Sequence, residues 1–296
     1  MKKFLLIITL IAVMGVGAFA LTACNNATTQ GQLENVWYSY ERYDYTVHYG
    51  DETGTYVSEV KAQDDGYLVT GLLNVGNTEY ELRCFFSLTS GSSYLVPRST
   101  YRRQTVNGVQ ELLVEGTYDG STLKYKRTTP DGTTEGDISL ASPYYDNNEF
   151  HQSLRGISTF STSLAFSYNT AIITASEATS ASLTLSVSST ENVQTEVKVA
   201  TDQGLQDLTV NCYKATLSRS TTVAGAAQTL YYTVEDMHAA IDPSTGETVV
   251  GAEGWKLPHV LTRIEEPYKK ADGSVGYVVY VLNAISLGSL GENAEA

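Results

Sequence analysis

The sequence predicts a mainly β protein, an antiparallel meander with one short helix, and three observations carry that reading. Twenty-one tyrosines are spread among threonines, valines and serines, residue types that suit a pleated, half-buried surface. Apolar and polar side chains alternate over many short segments, as in Tyr43-Asp44-Tyr45-Thr46-Val47, the period of two that a strand with one buried face requires. Between such segments stand Asn107-Gly108, Asp119-Gly120, Pro130-Asp131-Gly132 and Asp272-Gly273. These turn sequences accept the positive φ angles of tight hairpins.

The first element is not a strand. Lys2 and Lys3 precede an almost unbroken apolar run over residues 4–21, closed by Leu21-Thr22-Ala23-Cys24. Charge, then an apolar core, then small residues is the layout of a secretory signal. An uncleaved membrane span fits the length, which is near the lower limit for crossing a bilayer. Cleavage after Ala18-Phe19-Ala20 fits an ordinary secretory site. Leu21-Thr22-Ala23-Cys24 also resembles the lipobox of bacterial lipoproteins, and all four positions match. That resemblance implies a diacylglyceryl group on the Cys24 thiol, cleavage just before it, and Leu21, Thr22 and Ala23 as the signal-peptidase recognition residues. Residues 1–23 are then the signal peptide and 24–34 a polar, flexible tether. Residues 35–286 form the β domain, read either as one unit or as two similar halves meeting near 146–175, and 287–296 a frayed tail. Two acyl chains give stable anchoring where one is marginal.

Within the β domain, Tyr43, Tyr45, Val47 and Tyr49 keep one register, and Trp37 to Tyr40 do not, which predicts a bulge or break near Glu41-Arg42. Turns at Asp51-Glu52-Thr53-Gly54 and Asp64-Asp65-Gly66, and over residues 74–77, separate the next strands, the last carrying Leu82, Cys84 and Phe86. The central strands fall at 99–106, 109–118, 121–128 and 133–140. Asp146 and Glu149 have the spacing of a capping box, and Phe150 and Leu154 lie one turn apart before Gly156. Together they predict a helix over 147–155. Two further alternating strands follow, around Leu183-Leu185-Val187 and Val193-Val197-Val199, then 208–217 and 228–235. A turn-rich connector at Asp242-Pro243-Ser244-Thr245-Gly246 leads to 257–266 and 276–285.

The formal charge of −14 argues against nucleic acid as a partner. Cys84 and Cys212 both lie in alternating apolar runs; export permits a disulfide between them, and buried free thiols fit the same positions. His48, His151, His238 and His259 form no metal-ligand spacing. Ser121-Thr122-Leu123-Lys124 matches S-x-x-K, but it enters a strand, where Ser121 and Lys124 point to opposite faces, and no K-T-G follows. Trp37, Tyr38, Tyr40, Tyr144 and Tyr145 suit sugar stacking or an apolar pocket, and sheet packing explains them more cheaply.

Three passages together resemble the envelope-protein family called domain of unknown function 3108. They are the tyrosine-rich strand pair from Tyr38 to Gly66, the hairpins and short helix from Pro97 to Arg155, and the closing hairpin from Leu257-Pro258 to Ile285. The Ser/Thr-rich segment from Ser176 to Thr190 departs from the pattern. The resemblance implies a strongly curved, partly open antiparallel barrel and no established activity. The expected protein is exported, lipid-anchored on the extracytoplasmic side and non-enzymatic. It has no cofactor or metal, and its sheet surface or concavity binds a lipid, glycan or envelope-protein partner. The alternatives are a wall-directed hydrolase with paired carboxylates and a structural or assembly component of the envelope.

Overall fold

A computed structural model describes residues 32–89, 93–146, 149, 151–219, 227–270 and 272–288. The first eight strands are a meander: β1 (Tyr40–Tyr49), β2 (Glu52–Gln63), β3 (Gly66–Val75), β4 (Thr78–Leu88), β5 (Leu95–Val106), β6 (Val109–Asp119), β7 (Thr122–Thr129) and β8 (Gly132–Ser139). The expected turns sit between them. Asn107 and Gly108 have φ of 52° and 76°, and Gly120 has 57°, conformations that glycine and asparagine adopt at little steric cost. The second wing holds β9 (Ala165–Ile173), β10 (Ala178–Thr201), β11 (Gly204–Arg219) and β12 (Gln228–Thr233). After it come β13 (Met237–Ile241), β14 (Thr248–Val250), β15 (Trp255–Leu257), β16 (Leu261–Lys269) and β17 (Val275–Gly288).

Fourteen strands form one antiparallel sheet in the order β8-β7-β6-β5-β4-β3-β2-β1-β17-β16-β12-β11-β10-β9, and β14-β13-β15 form a small second sheet. The large sheet rolls into a nearly closed barrel. Its two ends overlap instead of pairing edge to edge. Phe166 and Tyr168 of β9 face the main core, whereas Ala171 and Ile173, on the strand's other face, pack against Leu112, Val114, Leu123 and Ile138 of β6 to β8. The chain leaving β8 then pairs with the free edge of β9 through a parallel bridge between Tyr144 and Asn169. Apolar side chains point inward, while outward positions carry charges such as Arg42, Glu59, Arg83, Glu115 and Lys126, the reverse of a membrane-spanning barrel.

The inner face is occupied by the chain's own segment between β8 and β9. Tyr145, Leu154, Ile157 and Phe160 belong to the main core. The expected helix takes a different form there: its described residues hold a single 3-10 turn, Ser153–Gly156, and positions 147, 148 and 150 lie outside the described residues. The reason is that Asp146, expected as the cap, accepts the Tyr118 hydroxyl at 2.8 Å and the Cys84 thiol at 3.4 Å on the barrel wall. Among the described residues, Glu149 serves the turn, accepting Ser153 N at 3.0 Å and Ser153 Oγ at 2.7 Å.

Three further details differ from expectation. β1 runs unbroken through Glu41-Arg42, and the irregularity lies opposite Asp44/Tyr45, where β17 inserts Asn283. The two strands expected around Leu183 and Val193 are one strand, β10, with irregularities at Val187/Ser189 and Gln194/Lys198. Bulges keep such a strand continuous while letting it bend, and its distal part folds over the barrel's exterior, where Glu196 accepts the Thr46 hydroxyl of β1. The fold also begins before residue 35: Leu33 is fully buried, and Glu34 N donates to Gly156 O at 2.9 Å.

Candidate functional site

Two polar regions are candidates, one inside the barrel and one outside. The inner one keys the 140–164 segment into the wall. Arg155 Nη1 and Glu41 Oε2 lie 2.7 Å apart with both side chains at 0% exposure. Glu41 also accepts Tyr43 Oη at 2.5 Å and Tyr38 N at 2.8 Å, and Arg155 Nε donates to Pro258 O at 3.2 Å. A buried charge is tolerated only when paired and hydrogen-bonded in this way. Nearby, His151 bonds Gln228 at 2.7 Å, and Tyr232 Oη donates to the His151 carbonyl at 3.0 Å. Burial pushes the Glu149 carboxyl up to about 8, with the neighbouring Asp146 adding to the rise, and pushes His151 down to about 4. Perturbed carboxyls can mark catalytic sites. Here Glu41, Asp146, Glu149 and Arg155 are all under 2% exposed, so their chemistry holds the segment in place.

The outer region is a trough of about 680 Å³ on the face of β1 to β5. Strand register explains its shape. On β3, the outward residues Leu68, Thr70 and Leu72 are short, whereas β2 and β4 on either side carry Glu59, Lys61, Glu79, Glu81 and Arg83. These long side chains are ion-paired along their own strands or with β1 and β5. Glu59 is met by Arg42 of β1 at 3.6 Å and by Lys61 at 3.0 Å, and Arg103 of β5 meets Glu79 at 3.0 Å and Glu81 at 2.9 Å. The trough therefore has an apolar and hydroxyl floor along β3, between walls on strands about 10 Å apart. Its walls carry charge of both signs, paired. A smaller groove of about 320 Å³ lies on the outer face of β6 to β8, around Lys124 and Lys126.

The residues singled out from sequence distribute as follows. Leu21, Thr22, Ala23 and Cys24 lie outside the described residues. Trp37 is buried edge-on between Tyr67 and Phe86, at 5.5 and 5.8 Å between ring centroids. Tyr38 stacks on Trp255 at 5.0 Å, Tyr40 donates to Glu59 at 3.0 Å, and Tyr144 donates to Gly120 O at 2.8 Å. The Tyr145 hydroxyl accepts Leu33 N at 3.0 Å. These aromatics pack and brace, and the structure does not gather them into one site. Cys84 and Cys212 are free thiols in separate surroundings, Cys84 beside Asp146 and Cys212 beside Thr262 at 3.2 Å. Lys124 bonds Asp119 at 2.9 Å and Ser121 is exposed at the turn. Sequence reasoning missed the trough. Its signal was Leu68-x-Thr70-x-Leu72 flanked by Glu59-x-Lys61 and Glu79-x-Glu81-x-Arg83, legible once the pairing of β2, β3 and β4 is known. No protein-family model, curated protein or solved structure matches this chain.

Proposed function

We propose that this chain is a lipid-anchored, non-enzymatic protein of the bacterial envelope that binds its partner on the outer face of the curved sheet. In this reading it is exported and held at the extracytoplasmic side through a diacylglyceryl group on Cys24. The observation that favours the outer face is that the barrel's inner face packs on Tyr145, Leu154, Ile157 and Phe160 of the segment between β8 and β9. A lipid-carrying concavity would need that segment to leave, and the Glu41–Arg155 pair and the turn at Ser153–Gly156 hold it in place.

The hydrolase alternative needs one carboxyl to hold a proton for the leaving group and a second to act as base or nucleophile. On the accessible face, Glu79 and Glu81 lie two residues apart on β4. Both are ion-paired with the same Arg103 Nη2, at 3.0 and 2.9 Å, so these carboxylates are already engaged. We therefore rank binding above hydrolysis.

The anchor is tested by replacing Cys24 with Ser in the full chain. The expected result is an intact fold, loss of acyl-chain labelling and release from membranes. Unchanged labelling and membrane retention would overturn the anchor. The choice of face is tested by mass spectrometry of molecules that co-purify with the detergent-extracted protein, where a stoichiometric lipid held by the barrel would overturn it.

A further inference from the structure

We infer that the trough along β3 is a binding site for a segment of uncharged oligosaccharide. This deepens the reading above and rests on it. The argument is one of complementarity between a ring and a channel. A pyranose ring has two largely C–H faces and a rim of hydroxyls. In the trough, Leu68 and Leu72 offer apolar pads, Leu72 being 40% exposed, and Thr70 between them offers a hydroxyl. The walls offer guanidinium and ammonium donors beside carboxylate acceptors, already paired: Arg42 and Lys61 with Glu59 on one side, Arg103 with Glu79 and Glu81 on the other. A sugar hydroxyl both donates and accepts, so it can sit between a carboxylate and a cation and leave neither charge uncompensated.

Other polymers fit less well. A polyanion or a polycation would meet like charges beside opposite ones on both walls, so that repulsion offsets much of its attraction. An extended peptide would lay its backbone N–H and C=O groups on the leucine pads, where they find no partner. The volume of about 680 Å³ is within the range of small-ligand sites, and the floor of Leu68, Thr70 and Leu72 runs along β3, so a bound chain lies parallel to that strand.

The experiment is a titration of detergent-solubilised full-length protein with short neutral oligosaccharides of hexose and of N-acetylhexosamine, followed by calorimetry or ligand-observed NMR. A polyuronate and an extended neutral peptide serve as comparison probes. Saturable binding of a neutral oligosaccharide is expected, weakened at least tenfold by Thr70→Lys, which fills the floor, and by Leu72→Glu, which removes a pad. Both positions face outward, so the thermal midpoint should stay within about 2 °C of the parent for such surface changes. The inference is overturned if no neutral oligosaccharide binds, if only the polyuronate or the peptide binds, or if binding is unchanged in both variants. A partner recovered equally by the parent and by Thr70→Lys in pull-downs from solubilised membranes would leave the binding-protein reading standing and remove the trough as its site.

Discussion

Replacing Glu41 with Ala should cost about 3–5 kcal/mol of folding free energy, the usual penalty for leaving one partner of a buried ion pair alone. The structure gives the reason for the size. The Glu41 carboxylate accepts from Arg155 Nη1, Tyr43 Oη and Tyr38 N at 2.7, 2.5 and 2.8 Å. After the substitution, Arg155 keeps the Pro258 carbonyl and the face of the Tyr43 ring at 5.1 Å, but among the described residues it has no ion-pair partner left. Its side chain is fully buried, so water cannot replace the lost carboxylate without opening the barrel. For a domain of this size each kcal/mol moves the midpoint by about 2–4 °C, so the drop in Tm should be about 6–20 °C. The assay is urea unfolding followed by far-UV circular dichroism, with single and double variants at one pH. Glu41→Leu combined with Arg155→Met removes both charges and should recover most of the loss, because a buried pair exchanged for apolar side chains is often neutral. A loss below about 1 kcal/mol for Glu41→Ala, or a double variant as unstable as the two single losses added together, would refute the reasoning.

Stability should also depend on pH with two opposing slopes. The folded Glu149 carboxyl is pushed up to about 8 by burial, from an ordinary value of 4.5, so its contribution is full below 4.5 and is lost as pH rises toward 8. His151 is pushed down to about 4 from 6.5, so its contribution is full above 6.5 and is lost as pH falls toward 4. Urea midpoints measured from pH 4 to pH 9 should flatten on the alkaline side in Glu149→Gln, and an unchanged alkaline slope would contradict this. Gly156→Ala places a Cβ 2.0 Å from the Glu34 carbonyl oxygen. It should cost about 1–3 kcal/mol and expose residues 32–38 to limited proteolysis, read by the cleavage site. Burial raises the Cys84 thiol well above its ordinary value and Cys212 to about 11. Neither should react with a thiol reagent in the native protein, and both should react in urea; fast native labelling of either would contradict the buried placement.

The meander was legible because its signals are local. Alternation places Tyr43, Tyr45 and Val47 on the buried face of β1, and Asn107-Gly108 turns the chain between β5 and β6 through its own φ preference. The helix was misread for the opposite reason. Asp146 and Glu149 have cap spacing in sequence, but Cys84 and Tyr118, far away along the chain, claim Asp146. Long-range hydrogen bonds of that kind leave no periodic trace. The continuity of β10 was obscured because its irregularities shift the register of alternation partway along.

By itself, then, the sequence determined the antiparallel strands, their turns and which face of each strand is apolar, because these follow from side-chain period and backbone preference within a few residues. It did not determine how the sheet closes. Rolling β6 to β8 over the back of β9 and filling the interior with Tyr145, Leu154, Ile157 and Phe160 depend on contacts between distant segments. The trough is likewise a tertiary product. Leu68, Thr70 and Leu72 become a floor only when β2 and β4 flank them and when the charges there find partners on β1 and β5.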